Sequence, residues 1–262
     1  MPKILIIFGS KSDEFVYNNI VGVLKQHENL HYEMRICSAH RTPDELVKIL
    51  DSTDAKVIIA GAGLAAHLPG VVASKTIFPI IGVPVSGNYQ GLDALLSIMQ
   101  MPPGIPVMSV GVDKADVAAR MAASMLEEYN GITLIGDKGS SQVQKALKIL
   151  DSFGMGYEFS DIPAAGSINV KFIDLGEQAQ DSGNMIIYVP LLEKEDDRAE
   201  AAINILRNSA NGLWVGLNRG DNAALAAIQI MAVKKYELRE KLRQFRKKGA
   251  EKVISHDKEV RK

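Results

Sequence analysis

The chain opens on a continuous apolar run, Lys3 to Phe8, rich in Ile and Leu and cut off at Gly9-Ser10. That is the pattern of a strand covered on both faces. Phe15 to Gln26 then carries apolar residues at helical spacing (Ile20, Val23, Leu24). Further strands are predicted at Tyr32–Ile36, Val57–Ala60, Pro79–Val83 and Val107–Val110. Between them the spacing predicts helices over Pro43–Leu50, Leu64–Lys75, Leu92–Met99 and Ala115–Glu128. Pro43 suits the first turn of its helix, where its missing N–H is no loss. Regular strand–helix alternation implies an α/β fold, a doubly wound and mainly parallel sheet of the flavodoxin-like three-layer kind.

The pattern restarts near Asn130-Gly131. Ile132 to Ser140 mirrors the first strand and its turn, Gln144 to Phe153 mirrors the first helix, and Met185 to Val189 mirrors the strand at Val57. The clearest echo pairs Val215–Asp221 and the Ala223–Met231 helix with Val110–Asp116 and the Ala118–Leu126 helix. The offset falls from about 128 residues at the start of the repeat to about 105 at its end. This suggests that the second copy lacks one strand–helix unit, the counterpart of Pro84 to Val107. The expected organisation is a tandem duplication, 1–129 and 130–262, with an added basic helix over Lys234–Val253. Leu238, Leu242, Phe245 and Val253 give that helix an apolar stripe, so it reads as solvated or inter-subunit rather than as a nucleic-acid patch.

Composition narrows the chemistry. Lys plus Arg (30) nearly balance Asp plus Glu (31), which leaves no global field for nucleic acid or an anionic membrane. Cys37 is the single cysteine, so no internal disulfide or cysteine-built metal centre is possible. It reads as a small core residue. No apolar run approaches the roughly 18 residues of a membrane span, and the N-terminus lacks a secretion pattern, so a cytoplasmic location is expected.

Three polar clusters fall at strand ends, where ligands gather in doubly wound sheets. Gly9-Ser10-Lys11-Ser12-Asp13 offers small residues and hydroxyls before a helix, a place for a phosphate, with Asp13 able to accept from ribose hydroxyls. A capped turn is the plain structural reading of the same residues. Ser38-Ala39-His40-Arg41-Thr42-Pro43 pairs a group that titrates near neutrality with a bidentate anion binder. Gly61-Ala62-Gly63-Leu64-Ala65-Ala66-His67-Leu68-Pro69-Gly70 would let a flat ligand lie against backbone, though tight helix–sheet packing also calls for such residues. His27, His31 and His256 stand outside these clusters and read as surface residues. No His/Asp/Glu set has metal-ligand spacing, so no metal is expected.

Taken with Met101-Pro102-Pro103-Gly104-Ile105-Pro106-Val107, the three clusters give the first 129 residues a close resemblance to the class I N5-carboxyaminoimidazole ribonucleotide mutases, the PurE enzymes of purine biosynthesis. Related enzymes that carboxylate aminoimidazole ribonucleotide directly with CO2 usually carry Lys where Arg41 stands and a Gly-Arg-Ser-Asn stretch near position 61. This sequence has neither. The resemblance implies that Ser10, Ser12 and Arg41 bind the 5′-phosphate region and Asp13 the ribose. It makes His40 the general acid/base, with Ser38 and Ala39 of its loop also binding substrate, and places Gly63, Ala66, His67 and Leu68 around the imidazole and its carboxylate. No cofactor is implied, and the partner is a small ribonucleotide. Two alternatives stay open: the direct carboxylase, and a non-catalytic nucleotide sensor. An enzyme that carboxylates a pyridine nucleotide fits the motif order less well.

The second copy departs from this pattern. Ser160-Asp161-Ile162-Pro163 stands where His40 would lie, and Tyr188 to Arg198 where Gly61 to Gly70 would lie. Asn222-Ala223-Ala224-Leu225 resembles the family's last helix better than Val117-Ala118-Ala119-Arg120 does. The resemblance therefore implies a degenerate second lobe acting as a built-in partner, and a homo-oligomer in which four two-lobed chains mimic an octamer.

Overall fold

A computed structural model describes residues 3–261; the end residues 1, 2 and 262 of the two expected halves lie outside the described residues. The first half runs β1 (Lys3–Phe8), α1 (Glu14–Leu24), β2 (His31–Ile36), α2 (Pro43–Ser52), β3 (Val57–Ala62), α3 (His67–Lys75), β4 (Ile80–Pro84), α4 (Leu92–Met99), β5 (Met108–Ser109) and α5 (Ala115–Ser124). The second runs β6 (Gly131–Ile135), α6 (Ser141–Phe153), β7 (Glu158–Phe159), β8 (Ser167–Asp174), β9 (Ile186–Leu191), α7 (Arg198–Asn208), β10 (Leu213–Trp214), α8 (Gly220–Met231) and α9 (Tyr236–Val260).

All strands join one ten-stranded sheet in the order β2-β1-β3-β4-β5-β10-β9-β8-β6-β7. Pairing is parallel everywhere except at the centre, where Trp214 of β10 lies antiparallel to Ser109 of β5. Each half therefore repeats the order 2-1-3-4-5, and the halves meet edge to edge about a local pseudo-twofold. One apolar core covers a whole face of the sheet, from Ile4, Ile6 and Ile20 through Ala118 to Leu134, Val143 and Ile228. The opposite face is covered separately by α2 and α3 in the first half, around Leu46, Ile49 and Val72. At the seam, Leu95 and Met99 of α4 pack with Ile186, Tyr188, Ile205 and Trp214.

The repeat corrects the expected correspondence in the second half. β9 occupies the place of β4, and β8, which the apolar pattern did not single out, occupies that of β3. Met185–Val189 is thus the counterpart of the strand at Pro79, not of that at Val57. No strand–helix unit is missing either. Among the described residues no helix lies between β7 and β8 or between β8 and β9, so the second half lacks the counterparts of α2 and α3. The acidic stretch Glu193–Asp197 follows β9 and so corresponds to the turn after β4.

Turn geometry repeats as well. Asp113, at φ +57°, donates its N–H to Pro84 O (2.9 Å) and accepts from Ser86 N (3.0 Å). Asn218, at φ +59°, does the same with Pro190 O (2.9 Å) and Leu192 N (3.0 Å). The basic helix is longer than expected: Leu238 and Leu242 are buried and Phe245 packs on Phe153, whereas residues 247–261, Val253 included, project into solvent. Among the described residues no helix is long and apolar enough to cross a membrane.

Candidate active site

In a 2-1-3-4-5 sheet the chain leaves β1 towards one edge and returns through β3 towards the other, so the loops after these two strands splay apart and leave a crevice. The structure has a cleft of about 580 Å³ there, a size suited to a nucleotide-scale ligand. Ser10, Ser12, Asp13, Ser38, Ala39, His40, Arg41, Gly63, His67 and Leu68 all line it.

Ala66 does not. It is fully buried among Leu5, Leu46 and Val72 and serves the core. The helix expected from Leu64 begins only at His67, because Leu64 takes a left-handed conformation (φ +55°) and the chain turns sharply before α3. That turn leaves the Leu64 side chain at the mouth of the cleft, 63% exposed.

The turn brings His67 to His40, 27 residues earlier, with Nε2 of His40 and Nδ1 of His67 2.7 Å apart and the rings edge to face. One of these nitrogens carries the proton and the other accepts it. The pair faces the cleft.

At the β1 end, Ser10 Oγ accepts from Ser12 N (3.2 Å) and from Ser12 Oγ (2.8 Å), which closes the small turn before α1. Asp13 is buried, yet its carboxylate makes no cap bond to α1; it faces Ser12 Oγ at 3.0 Å. Burial pushes its pKa up, with the Ser12 hydroxyl and the Arg41 charge pulling it back and Asp113 adding to the rise. Arg41 reaches across from the β2 loop and donates Nη2 to Gly9 O (2.9 Å), which ties the two loops together. Thr42 fixes the His40 loop from behind, accepting from Ser38 N (3.0 Å) and meeting the buried Cys37 sulfur (3.3 Å). Cys37, just beyond β2, is thus a packing residue.

Gly9, Ala62, Leu64 and Ala65, members of the clusters read from sequence, also line the cleft, and so do Val85, Ser86 and Gly87, which were not singled out. The missed signal was the turn after the fourth strand, since the rule that ligands gather at strand ends applies to β4 as to its neighbours. His27, His31 and His256 are exposed, away from this cleft. Among the described residues no group of three or more His, Cys, Asp or Glu side chains is arranged to hold a metal ion.

Comparison with known proteins bears on this half of the chain. The AIR carboxylase family profile matches residues 3–134. The N5-carboxyaminoimidazole ribonucleotide mutase of Methanocaldococcus jannaschii is 52% identical over 123 residues, covering 47% of this chain and 78% of that protein. The enzyme of the same name from Pyrococcus abyssi is 52% identical over 130 residues (48% and 74%), and that from Bacillus subtilis 44% over 135 (49% and 83%). Among solved structures, Treponema denticola PurE is 31% identical, covers 48% of this chain and 80% of its own, and superposes with a TM-score of 0.43. With its β1, β2 and β3 loops converging on one cleft and the family profile running through all of them, the chain belongs to the AIR carboxylase family.

Proposed function

We propose that this protein is an isomerase of purine biosynthesis that converts N5-carboxyaminoimidazole ribonucleotide into 4-carboxyaminoimidazole ribonucleotide. The observation that carries this reading is the His40–His67 pair at the cleft, in a half-chain 52% identical to mutases of that name. The carbamate N–C bond breaks, CO2 leaves, and protonated His40 gives its proton to the exocyclic nitrogen. The enamine-like C4 then attacks CO2 and forms the new C–C bond. His40 takes the C4 proton and the ring regains aromaticity. One proton is given and one recovered, so the pair ends as it began. Its hydrogen bond holds His40 while the proton is away.

The walls suit such a reaction. Ala39, Ala62, Ala65, Leu68 and Val85 offer CO2 a small apolar enclosure. Arg41 and the Ser10–Ser12 turn would bind the phosphate region, and Asp13 the ribose. We further propose that the chain arose by duplication (1–129 and 130–262), that its second lobe is catalytically silent, and that four chains assemble in the cytoplasm with α9 at their contacts. A stable monomer in solution would overturn the assembly.

Ultraviolet detection of 4-carboxyaminoimidazole ribonucleotide after adding the protein to the N5-carbamate tests the activity. Formation faster than spontaneous CO2 loss, and insensitive to bicarbonate, is expected. Product only from aminoimidazole ribonucleotide with bicarbonate would identify the direct carboxylase instead, and no conversion a nucleotide-binding protein.

A further inference from the structure

The segment between α4 and β5 in the first half, Met101-Pro102-Pro103-Gly104-Ile105-Pro106, holds three prolines and so has few N–H groups with which to satisfy its own carbonyls. The bonds it needs come from the other half. Asn222, on α8 and 1% exposed, accepts from Gly104 N (2.9 Å) and donates Nδ2 to Pro102 O (3.0 Å) and Met101 O (3.4 Å). All of its side-chain hydrogen bonds across the seam go to this one segment.

The segment in turn seats α3. A Cβ at Gly70 would sit 3.2 Å from Met101 Sδ, so the Met101 sulfur lies directly against that turn of the helix. Met101 and Ile105 pack on the apolar cluster that contains Leu68, and Ala39 packs on the same cluster. His67 is the first residue of α3, and Ala66 before it provides no side-chain cap. The height of His67 is therefore set by how α3 is seated, and His40 follows Ala39 directly.

The repeat shows that this clamp runs one way. Val117 stands in α5 at the register of Asn222 in α8, and a valine has no hydrogen-bonding side chain. The matching segment of the second half is short: Ser209–Gly212 joins α7 to β10 with no proline, and the buried Ser209 hydroxyl has no partner. The first half carries the His40–His67 pair and the second the asparagine that clamps the segment beside it.

We propose that Asn222 is a positioning residue for the His40–His67 pair, acting through residues 101–105 and α3. The proposal rests on the activity assigned above for its kinetic readout but not for its spectroscopic one. In Asn222→Ala of the full chain, kcat should fall at least tenfold while KM changes less than about twofold. The imidazole 15N signals of His40 and His67 should also shift. Val143→Ala, a cavity in the shared core, should lower the melting temperature without changing kcat or those signals. If Asn222→Ala does not fold, Gly70→Ala reaches the same contact from α3 and should give the same kcat-selective loss and imidazole shift.

Unchanged imidazole signals in a folded Asn222→Ala, or in Gly70→Ala when it substitutes for it, overturn the proposal, as does an equal loss of kcat in Val143→Ala. A wild-type chain without mutase turnover removes the activity reading alone, because the imidazole signals still decide the role of Asn222.

Discussion

A single hydrogen bond of 2.7 Å joins the His40 and His67 rings, and the proposed roles of the two differ accordingly. His40→Asn keeps shape and phosphate contacts but cannot relay a proton, so turnover should vanish while calorimetry still records product binding. His67→Asn leaves His40 its titrating ring without the partner that holds it; a loss of about 10- to 100-fold is expected, smaller than the full general acid–base contribution of roughly 10²–10⁴. Asp13 carries a different prediction. Burial raises its pKa above that of the unfolded chain, so the unfolded state releases its proton first as pH rises. Folding is then favoured below the usual carboxylate range and disfavoured above it. Asp13→Asn should consequently raise the melting temperature at neutral pH, lose that gain on acidification, and weaken substrate binding. A gain that grows on acidification would contradict the assigned cause.

At the scale of elements, two glycines at the seam sit against the carbonyls that end the other half's helices. Gly111 lies on Ser209 O, and a Cβ at Gly216 would approach Met99 O to 2.9 Å. Backbone cannot move aside as a flexible side chain can. Gly111→Ala and Gly216→Ala should each cost about 1–3 kcal/mol, read as a lower denaturant midpoint with the slope unchanged. The first half was largely legible in sequence because its strands are uninterrupted apolar runs and its polar clusters sit directly behind them. The second was less so. Ser167–Asp174 holds Asn169 and Lys171 within an otherwise apolar stretch, and the buried Asn169 is made acceptable only by its bonds to Ala164, Ser167 and Met185. Without that strand the correspondence slipped by one position, and two absent helices looked like one absent strand–helix unit. The role of Ala66 was misplaced for a related reason. A family motif marks neighbours in sequence, whereas the left-handed Leu64 decides which of them face the cleft.

The whole molecule is held as one body by a continuous sheet whose apolar face crosses the seam. Ile20 and Ala118 of one half share a core with Val143 and Ile228 of the other. The sole tryptophan, Trp214, stands on the antiparallel seam, 2% exposed and stacked on Tyr188 at 4.9 Å. Its emission therefore reports on the junction of the halves, while far-ultraviolet circular dichroism reports on helices throughout. If the lobes were independent beads, the two signals would change at different denaturant concentrations. With a shared core, neither half can lose its packing without exposing the other's seam edge, so the two transitions should coincide. Trp214→Ala should shift the helix signal of the entire chain by about 3–5 kcal/mol rather than melting the second half alone. Coincidence would also explain how a lobe without the family's site motifs is retained. Its packing, and the asparagine it presents to the first lobe's proline-rich segment, are part of what keeps the His40–His67 cleft assembled.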